Sequence, residues 1–155
     1  MTIQSTALAQ ADPQVAAVEA VIQQANAEQA QALATANPAL MTDTATAAYY
    51  RQLVQTNQGL VAQGATAIIL NQLTWGAVSV TGTTATANTT EEWTTTYSDG
   101  TTARSISPNV YTLVDQSGSW LIETDQQPTT TPATGVQPTP VPVAPVVPVI
   151  PVGQN

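Results

Sequence analysis

Residues 109–125, with the sequence NVYTLVDQSGSWLIETD, decide the fold that this chain is expected to adopt. Two runs that mix apolar and polar side chains flank Asp115–Gly118, and a segment of that composition favours a turn. The stretch therefore predicts a β-hairpin whose largest apolar side chains meet as cross-strand pairs on one face, each pair contributing roughly 0.2–1 kcal/mol. The expected pairs are Leu113 with Trp120 and Tyr111 with Ile122.

A second hairpin is predicted directly before the first. Residues 83–97 alternate regularly, which is typical of a strand with one buried and one solvated face. The Asp-Gly pair at residues 99–100 suits a two-residue type I′ turn to the next strand. The expected pairs are Thr95 with Arg104 and Trp93 with Ile106. The inner face is expected to carry Ala85, Ala87, Thr89, Glu91, Trp93, Thr95 and Tyr97.

Two amphipathic helices are predicted at the start of the chain. Asp12-Pro13 is a good helix start, because Asp accepts hydrogen bonds from free amides and Pro has no amide to lose. The first helix then continues to Asn37-Pro38, which interrupts the apolar periodicity. Thr42 or Asp43 can cap the second helix, and Gly64 ends it by supplying a left-handed conformation.

The order of these elements predicts the fold class. Residues 65–80 have the composition of a first strand, and Gly76 within them indicates a bulge. Two helices followed by about four long strands predict an α+β fold, with the helices packed on one face of a strongly bent antiparallel sheet.

Charge and residue usage narrow the classes of function. The chain has 155 residues with ten acids, two arginines, no lysine, no histidine and no cysteine, for a formal net charge of −8. Phosphate binding needs a cationic surface, so nucleic acid is a poor partner. The lack of histidine and cysteine excludes thiol nucleophiles, a Ser-His-Asp triad, and imidazole or thiolate metal sites. We therefore expect no catalytic residue, no metal and no cofactor, in a protein that is not an enzyme.

The sequence favours a protein that is secreted or displayed at the cell surface. Thr, Gln and Ala are abundant where Lys and Glu are usual, which is more typical of exported proteins. Ala7-Leu8-Ala9 is similar to the cleavage site of a secretory signal, so residues 1–12 are interpreted as an N-terminal extension or signal remnant. No run of about 20 apolar residues is present, so we expect no membrane span.

In these segments the chain resembles the NTF2-like (nuclear transport factor 2-like, SnoaL-like) superfamily of cone-shaped α+β domains. NVYTLVDQSGSWLIETD, EEWTTTYSDGT and LTWGAVSVTGTTATA carry the resemblance, behind helices that include NPALMTDTATAAYYRQL. It covers residues 13–127, and it implies a domain of the exported bacterial type, whose members are often binding or accessory modules. The superfamily also includes isomerases, cyclases and dehydratases with a catalytic Asp, His or Tyr in the cone, and that histidine has no counterpart here.

Four residues are candidates for a ligand pocket in such a cone: Glu91, Trp93, Arg104 and Tyr50. Glu91 would be a candidate general base if buried, and otherwise a solvated residue at the mouth or the ion-pair partner of Arg104. Arg104 could stack on Trp93 as a cation–π pair or anchor an anionic ligand. Of Tyr49 and Tyr50 at most one should face inward, as a donor to an oxyanion or as a core aromatic.

The composition changes at Pro128. Residues 128–139 predict a flexible Pro/Thr-rich linker, whereas residues 140–155 repeat Pro-Val-x triplets that match the three residues per turn of polyproline II. This apolar tail is either a stiff spacer or a segment that docks in an apolar groove, on this domain or on a neighbouring copy. The residues expected to bind the partner are Pro142, Val143, Pro145, Val146, Pro148, Val149, Ile150 and Pro151.

The sequence thus predicts a non-enzymatic extracellular or cell-surface binding and assembly module. Its tail would dock on a neighbouring copy or on another cell-surface protein and build an oligomer or filament. Two alternatives stay open: a small-molecule carrier, and an isomerase- or cyclase-type enzyme that uses Glu91 with Tyr49 or Tyr50. An empty, polar-lined cone with Glu91 at its base would favour the enzyme, and a packed cone would exclude it.

Overall fold

The computed structural model describes residues 12–128. Within them, two helices lie on one face of a curled four-stranded antiparallel sheet whose strands follow one another in chain order. The α+β architecture predicted from the order of elements is confirmed, whereas the predictions for residues 1–11 and for the tail fall outside the described residues. The elements are α1 (Pro13–Thr35), a 3-10 turn (Pro38–Met41), α2 (Ala47–Ala62), β1 (Ala65–Thr81), β2 (Thr84–Tyr97), β3 (Thr102–Gln116) and β4 (Ser119–Gln126).

The first helix begins as predicted. Oδ1 of Asp12 accepts a hydrogen bond from the amide of Gln14 at 2.9 Å, and Pro13 occupies the first turn. The cap satisfies one of the amides that have no partner within the helix. The helix ends two residues before Asn37-Pro38, as the interrupted periodicity indicates.

The second helix begins later than predicted. Thr46, and not Thr42 or Asp43, is its N-cap, and the Thr46 hydroxyl accepts from the amide three residues further on at 3.3 Å. The segment before the cap is held by β4 instead, since the amide of Ile122 donates to the carbonyl of Thr44 at 2.8 Å. This contact covers part of the free edge of β4, which would otherwise present unpaired backbone groups.

The alternation predicted for β2 is confirmed. The even-numbered positions of the strand are exposed or half-buried, and the odd-numbered ones face the helices. The buried members of the inner face are Ala85, Ala87, Thr89, Glu91, Trp93 and Thr95, while Tyr97 at the end is half-buried.

The loop between β2 and β3 is one residue longer than predicted, because the amide of Tyr97 donates to the carbonyl of Thr101 at 2.9 Å and leaves residues 98–100 as the loop. The predicted register is therefore wrong by one residue, which moves the side chains of β3 to the opposite face of the sheet. Arg104 consequently lies on the outer face, not beside Trp93. The observed pairs are Thr94 with Arg104 and Trp93 with Ser105, in place of Thr95 with Arg104 and Trp93 with Ile106.

The closing hairpin turns over two residues, not four. Ser117 and Gly118 both have positive φ, 56° and 87°, as a type I′ turn requires. Glu123 has no partner in the ladder, so a bulge divides β4 into two parts. The observed pairs are Asp115 with Trp120, Leu113 with Ile122 and Tyr111 with Asp125, in place of Leu113 with Trp120 and Tyr111 with Ile122.

The buried apolar side chains form two clusters between the helices and the sheet. The larger cluster joins α1 and the first half of α2 to β2, β3 and β4, and it contains Leu113, Trp120 and Ile122. The smaller cluster joins the ends of both helices to Trp93 and Ile68. Polar side chains meet in the cone between these clusters, and they define the first candidate site.

Candidate functional site

The carboxylate of Glu91 lies at the centre of the cone and is fully buried, with 0% of the residue exposed. Five side chains donate hydrogen bonds to it. A carboxylate offers about four lone-pair positions, so these donors use its whole acceptor capacity. A buried charge is tolerated only when it is hydrogen-bonded in this way. The donors are Tyr111 Oη at 2.6 Å, Asn109 Nδ2 at 2.9 Å, Asn26 Nδ2 at 3.0 Å, Trp93 Nε1 at 3.1 Å and Thr89 Oγ1 at 3.2 Å.

Three elements bring these donors together. The period of two along β2 places Thr89 and Trp93 on the same face as Glu91. Asn109 and Tyr111 have the same relation on β3, where Asn109 pairs with Thr89 across the sheet. The buried face of α1 closes the cone from above with Asn26. We name these six residues, Glu91 with its five donors, the Glu91 network.

Asn109 links this network to a second carboxyl. Its Nδ2 also lies 3.5 Å from Oδ2 of Asp125, whose other oxygen, Oδ1, is buried without a hydrogen-bond partner among the described residues. Burial raises the pKa of Asp125 well above its ordinary value, and the negative charge of Glu91 raises that pKa further. The shift favours the neutral carboxyl, which can donate a hydrogen bond as well as accept one.

An open cavity of about 370 Å³ lies beside this carboxyl, between α2 and the end of β4. Tyr49 reaches it from the buried face of α2. Burial raises the pKa of Tyr49 well above its ordinary value, with smaller contributions from the charges of Asp125 and Glu91, so the phenol stays a donor. The cavity is lined by Tyr49, Gln52, Leu53, Gln55, Thr56 and Asp125.

A second depression, of about 420 Å³, separates the C-terminal halves of α1 and α2, and we name it the α1–α2 groove. None of its lining side chains is ionisable. Val61 is 56% exposed there. The lining residues are Ala32, Leu33, Ala36, Pro38, Val54, Asn57, Gln58, Val61 and Ala62.

No protein-family model matches this sequence, and no curated protein matches it. Solved structures do match. The intermembrane-space region of the chloroplast protein ARC6 superposes with a TM-score of 0.64 at 15% identity, over 73% of this chain and 95% of that one. An NTF2-like superfamily protein from Salmonella enterica gives a TM-score of 0.53 at 15% identity, over 78% and 100% of the chains. An NTF2-like family protein from Streptomyces avermitilis gives 0.51 at 17% identity, over 72% and 95%. The chain has the NTF2-like fold.

At these identities the likeness concerns the fold alone. The NTF2-like fold carries unrelated functions, so the function of this chain has to be argued from its own side chains. In the part of the chain that the structure describes, neither helix combines the length and apolar character that a membrane span requires. The same residues hold no group of three or more acidic side chains placed to bind a metal ion.

The NTF2-like cone brings together two of the four residues predicted for a ligand pocket. Glu91 and Trp93 are both buried, and Nε1 of Trp93 donates a hydrogen bond to Glu91. Arg104 lies on the outer face and forms an ion pair with Glu92 at 2.8 Å, with 65% of its side chain exposed. The predicted contacts of Arg104 with Glu91 or Trp93 are therefore wrong, because the longer loop reverses the face of β3. Tyr50 is half-buried at the edge of the larger apolar cluster.

The residues that sequence reasoning missed are the polar partners. Asn26 stands among apolar residues on the buried face of α1, and Asn109 shares its strand face with Tyr111. A polar residue in an otherwise apolar stripe is the signal that could have identified both, since such a side chain needs a buried partner. No such sequence signal marks Asp125, because simple alternation along β4 places this residue on the outer face.

Proposed function

We propose that this chain is a non-enzymatic binding and assembly module of the extracellular space or the cell surface. The observation that carries the proposal is the filled cone. Glu91, the residue that an isomerase- or cyclase-type mechanism would use as its base, has no exposed surface and accepts five hydrogen bonds. A general base must reach the proton that it abstracts from a substrate, and Glu91 has no such access.

The composition of the tail supports assembly. Residues 140–152 are apolar at nearly every position, while the domain as a whole carries a strong negative charge. Exposing an apolar segment of this length to water is unfavourable in free energy, and docking on another molecule removes that unfavourable exposure. A neighbouring copy is the partner we propose, and another cell-surface protein is the alternative partner. A tail that joins one copy to the next generates an open chain of domains or a ring.

Light scattering of the full chain tests this proposal. We compare the wild type with a variant in which Val143, Val146, Val149 and Val152 are replaced by Ser, over a hundredfold range of concentration. The matched control replaces Thr129, Thr130 and Thr131 by Ser, which changes the linker and spares the apolar triplets. We expect the wild type and the linker control to gain mass with concentration, and the tail variant to stay monomeric. A wild type that stays monomeric throughout contradicts assembly.

A second function, that of a small-molecule carrier, is favoured by one observation. Asp125, whose Oδ1 has no hydrogen-bond partner among the described residues, and Tyr49 both line the open cavity. The phenol of Tyr49 is a neutral donor, and the raised pKa of Asp125 favours its neutral form, so the pair suits a neutral ligand with a carbonyl or hydroxyl oxygen. Titration with small ketones and amides, followed by NMR, should perturb residues around the cavity. A Tyr49→Phe chain that responds as strongly as the wild type contradicts this function.

Export is the remaining part of the proposal, and the residue usage and the Ala7-Leu8-Ala9 segment support it. The N-terminus of the protein isolated from its source provides the test. Mass spectrometry should find Gln10 as the first residue, in the fraction outside the cytoplasm. A cytoplasmic protein that retains residues 1–9 contradicts export and leaves the assembly proposal to be decided by light scattering.

A further inference from the structure

We infer that the α1–α2 groove is the acceptor site for residues 142–152 of a neighbouring copy of this chain. The inference rests on the proposed assembly function and adds the surface that receives the tail. Three features of the molecule support it: the chemistry of the groove, its length, and the place where the described chain ends.

The chemistry of the groove matches that of the tail. Its walls are formed by Leu33, Val54 and Val61 with smaller apolar residues, and no ionisable side chain lines it. Residues 126–154 carry no ionisable side chain either. Two copies with a net charge of −8 repel each other, so a contact between uncharged surfaces keeps the unfavourable electrostatic contribution small.

The groove also has a fixed floor and a polar rim. Nε2 of Gln29 donates to Oδ1 of Asn57, and Nδ2 of Asn57 donates to the carbonyl of Gln29, both at 3.3 Å. This reciprocal pair of hydrogen bonds holds α1 against α2 below the groove. The exposed amide of Gln58 stands at the rim, where it can donate to the carbonyls of a polyproline II segment, which are free because that conformation makes no internal hydrogen bonds.

The length of the groove fits one repeat of the tail. The lining segment Val54–Ala62 extends for about 12 Å along α2, at a rise of about 1.5 Å per residue. Polyproline II rises about 3.1 Å per residue, so the groove accommodates about four residues, one Pro-Val-x triplet and the next proline. Residues 142–152 would extend for about 34 Å on that scale, and several triplets can therefore bind in equivalent registers.

This excess length favours a second copy over the chain's own groove. A tail docked on its own domain would cover about one triplet and leave the others in water, whereas grooves of neighbouring copies can cover them. The described chain ends at Pro128, just after Asp125, which lines one cavity together with Thr56 of α2. Residues 129–141 span up to about 43 Å when extended, enough to carry the triplets beyond their own domain.

Two full-length variants test the inference by complementation. Val61→Asp places a charge in the groove and leaves the tail intact, while the fourfold Val→Ser tail variant leaves the groove intact. We expect each variant alone to be monomeric by light scattering, with its association constant lowered at least tenfold. Mixed in equal amounts, they should form hetero-oligomers, because the intact tail of one variant binds the intact groove of the other. Val61 is exposed, so its substitution leaves the packed core untouched.

The matched control is Ile106→Asp. Ile106 is also 56% exposed, but it lies on the outer face of β3, away from the groove. The control adds the same charge and should assemble like the wild type. A synthetic peptide of residues 140–153 provides a second measurement: titrated into the tail variant, it should shift the NMR signals of the Val54 and Val61 methyl groups.

Each contrary result has its own meaning. If Val61→Asp assembles like the wild type while the tail variant does not, another surface receives the tail; the inference is then wrong and the proposed function stands. If the peptide shifts the groove signals but the wild type and the mixture stay monomeric, the tail binds its own domain, which overturns both the neighbouring-copy inference and the assembly function. A mixture that remains monomeric although the wild type assembles also overturns the inference.

Discussion

Tyr111 donates its hydroxyl hydrogen to Oε1 of Glu91 at 2.6 Å, and neither residue is more than 1% exposed. Burial raises the pKa of Tyr111 well above its ordinary value, and the nearby charges, of Asp125 first and then of Glu91, raise it further, so the phenol remains a donor. Hydrogen bonds to a charged acceptor are about twice as strong as those between neutral groups. The interior of the cone is therefore occupied by protein hydrogen bonds, and its polar character contributes to stability.

The first prediction concerns Glu91→Gln. The substitution replaces a carboxylate oxygen by an amide that donates, so at least one donor of the Glu91 network then faces another donor. We expect the free energy of unfolding to fall by about 2–4 kcal/mol, measured by urea denaturation with tryptophan fluorescence. Glu92→Gln is the matched control, because Glu92 lies on the outer face in an exposed ion pair with Arg104, and its loss of stability should be much smaller. Equal losses in the two variants would show that the Glu91 network contributes no more to stability than the exposed ion pair of Glu92.

The second prediction compares two tyrosines that each lose one oxygen. Tyr111→Phe removes a hydrogen bond to a charged group and should lower the free energy of unfolding by about 1.5–3 kcal/mol. Tyr97→Phe should be neutral or stabilising, because the Tyr97 hydroxyl is buried without a partner among residues 12–128. Urea denaturation of both variants gives the difference. A Tyr111→Phe loss no larger than that of Tyr97→Phe contradicts the role assigned to this hydrogen bond.

The alternation of β2 made half of the candidate site predictable. A period of two decides which side chains share a face, and it placed Glu91 and Trp93 together without any knowledge of register. Arg104 could not be placed in the same way, because its face depends on the length of one loop. A three-residue loop and a two-residue loop are both compatible with the sequence Ser-Asp-Gly, and they send Arg104 to opposite faces.

Two other positions show the limit of sequence patterns. Glu123 bulges out of β4, and the extra residue turns Asp125 to the inner face, where it pairs with Tyr111. Nothing local in the segment GSWLIETD indicates that bulge. On α2 the helix start shifts by three or four residues, from Thr42 or Asp43 to Thr46. The buried tyrosine is accordingly Tyr49, since the pairing of the preceding loop with β4 sets the rotation of the helix.

The third prediction concerns the end of α1. Ala36 is the C-cap of the helix with φ 53°, a left-handed conformation that costs roughly 1–2 kcal/mol for a residue with a Cβ atom. Ala36→Gly relieves this strain, and after the entropic cost of glycine we expect a gain of about 0.5–1 kcal/mol in the free energy of unfolding. Ala34→Gly removes the same methyl group from an exposed helical position and should cost about 1 kcal/mol. Thermal and urea denaturation should therefore show opposite signs, and a loss in both variants contradicts the left-handed cap.

The last prediction concerns pH. Because burial and the charge of Glu91 raise the pKa of Asp125 in the folded protein, the native state binds more protons than the unfolded chain at pH values above about 4. The resulting stabilisation is fully present below the pKa that Asp125 has in the unfolded chain. It is lost as pH rises through the pKa that Asp125 has in the folded protein. Asp125→Asn keeps a neutral side chain at every pH, so the variant should gain stability relative to the wild type from pH 4 to pH 8, as measured by urea denaturation.

Asp99 gives a comparison of opposite sign on the same protein. Hydrogen bonds from the side chain and the amide of Thr101 lower the pKa of Asp99, so its contribution is present above the unfolded pKa and is lost as pH falls through the folded pKa. The free energy of unfolding of Asp99→Asn should therefore fall relative to that of the wild type as pH rises from below 4. At higher pH the two curves should run parallel. If the free energy of unfolding of Asp125→Asn also runs parallel to that of the wild type from pH 4 to pH 8, the Asp125 carboxyl is solvated. The cavity would then have no neutral carboxyl donor, and the argument for a small-molecule carrier would fail.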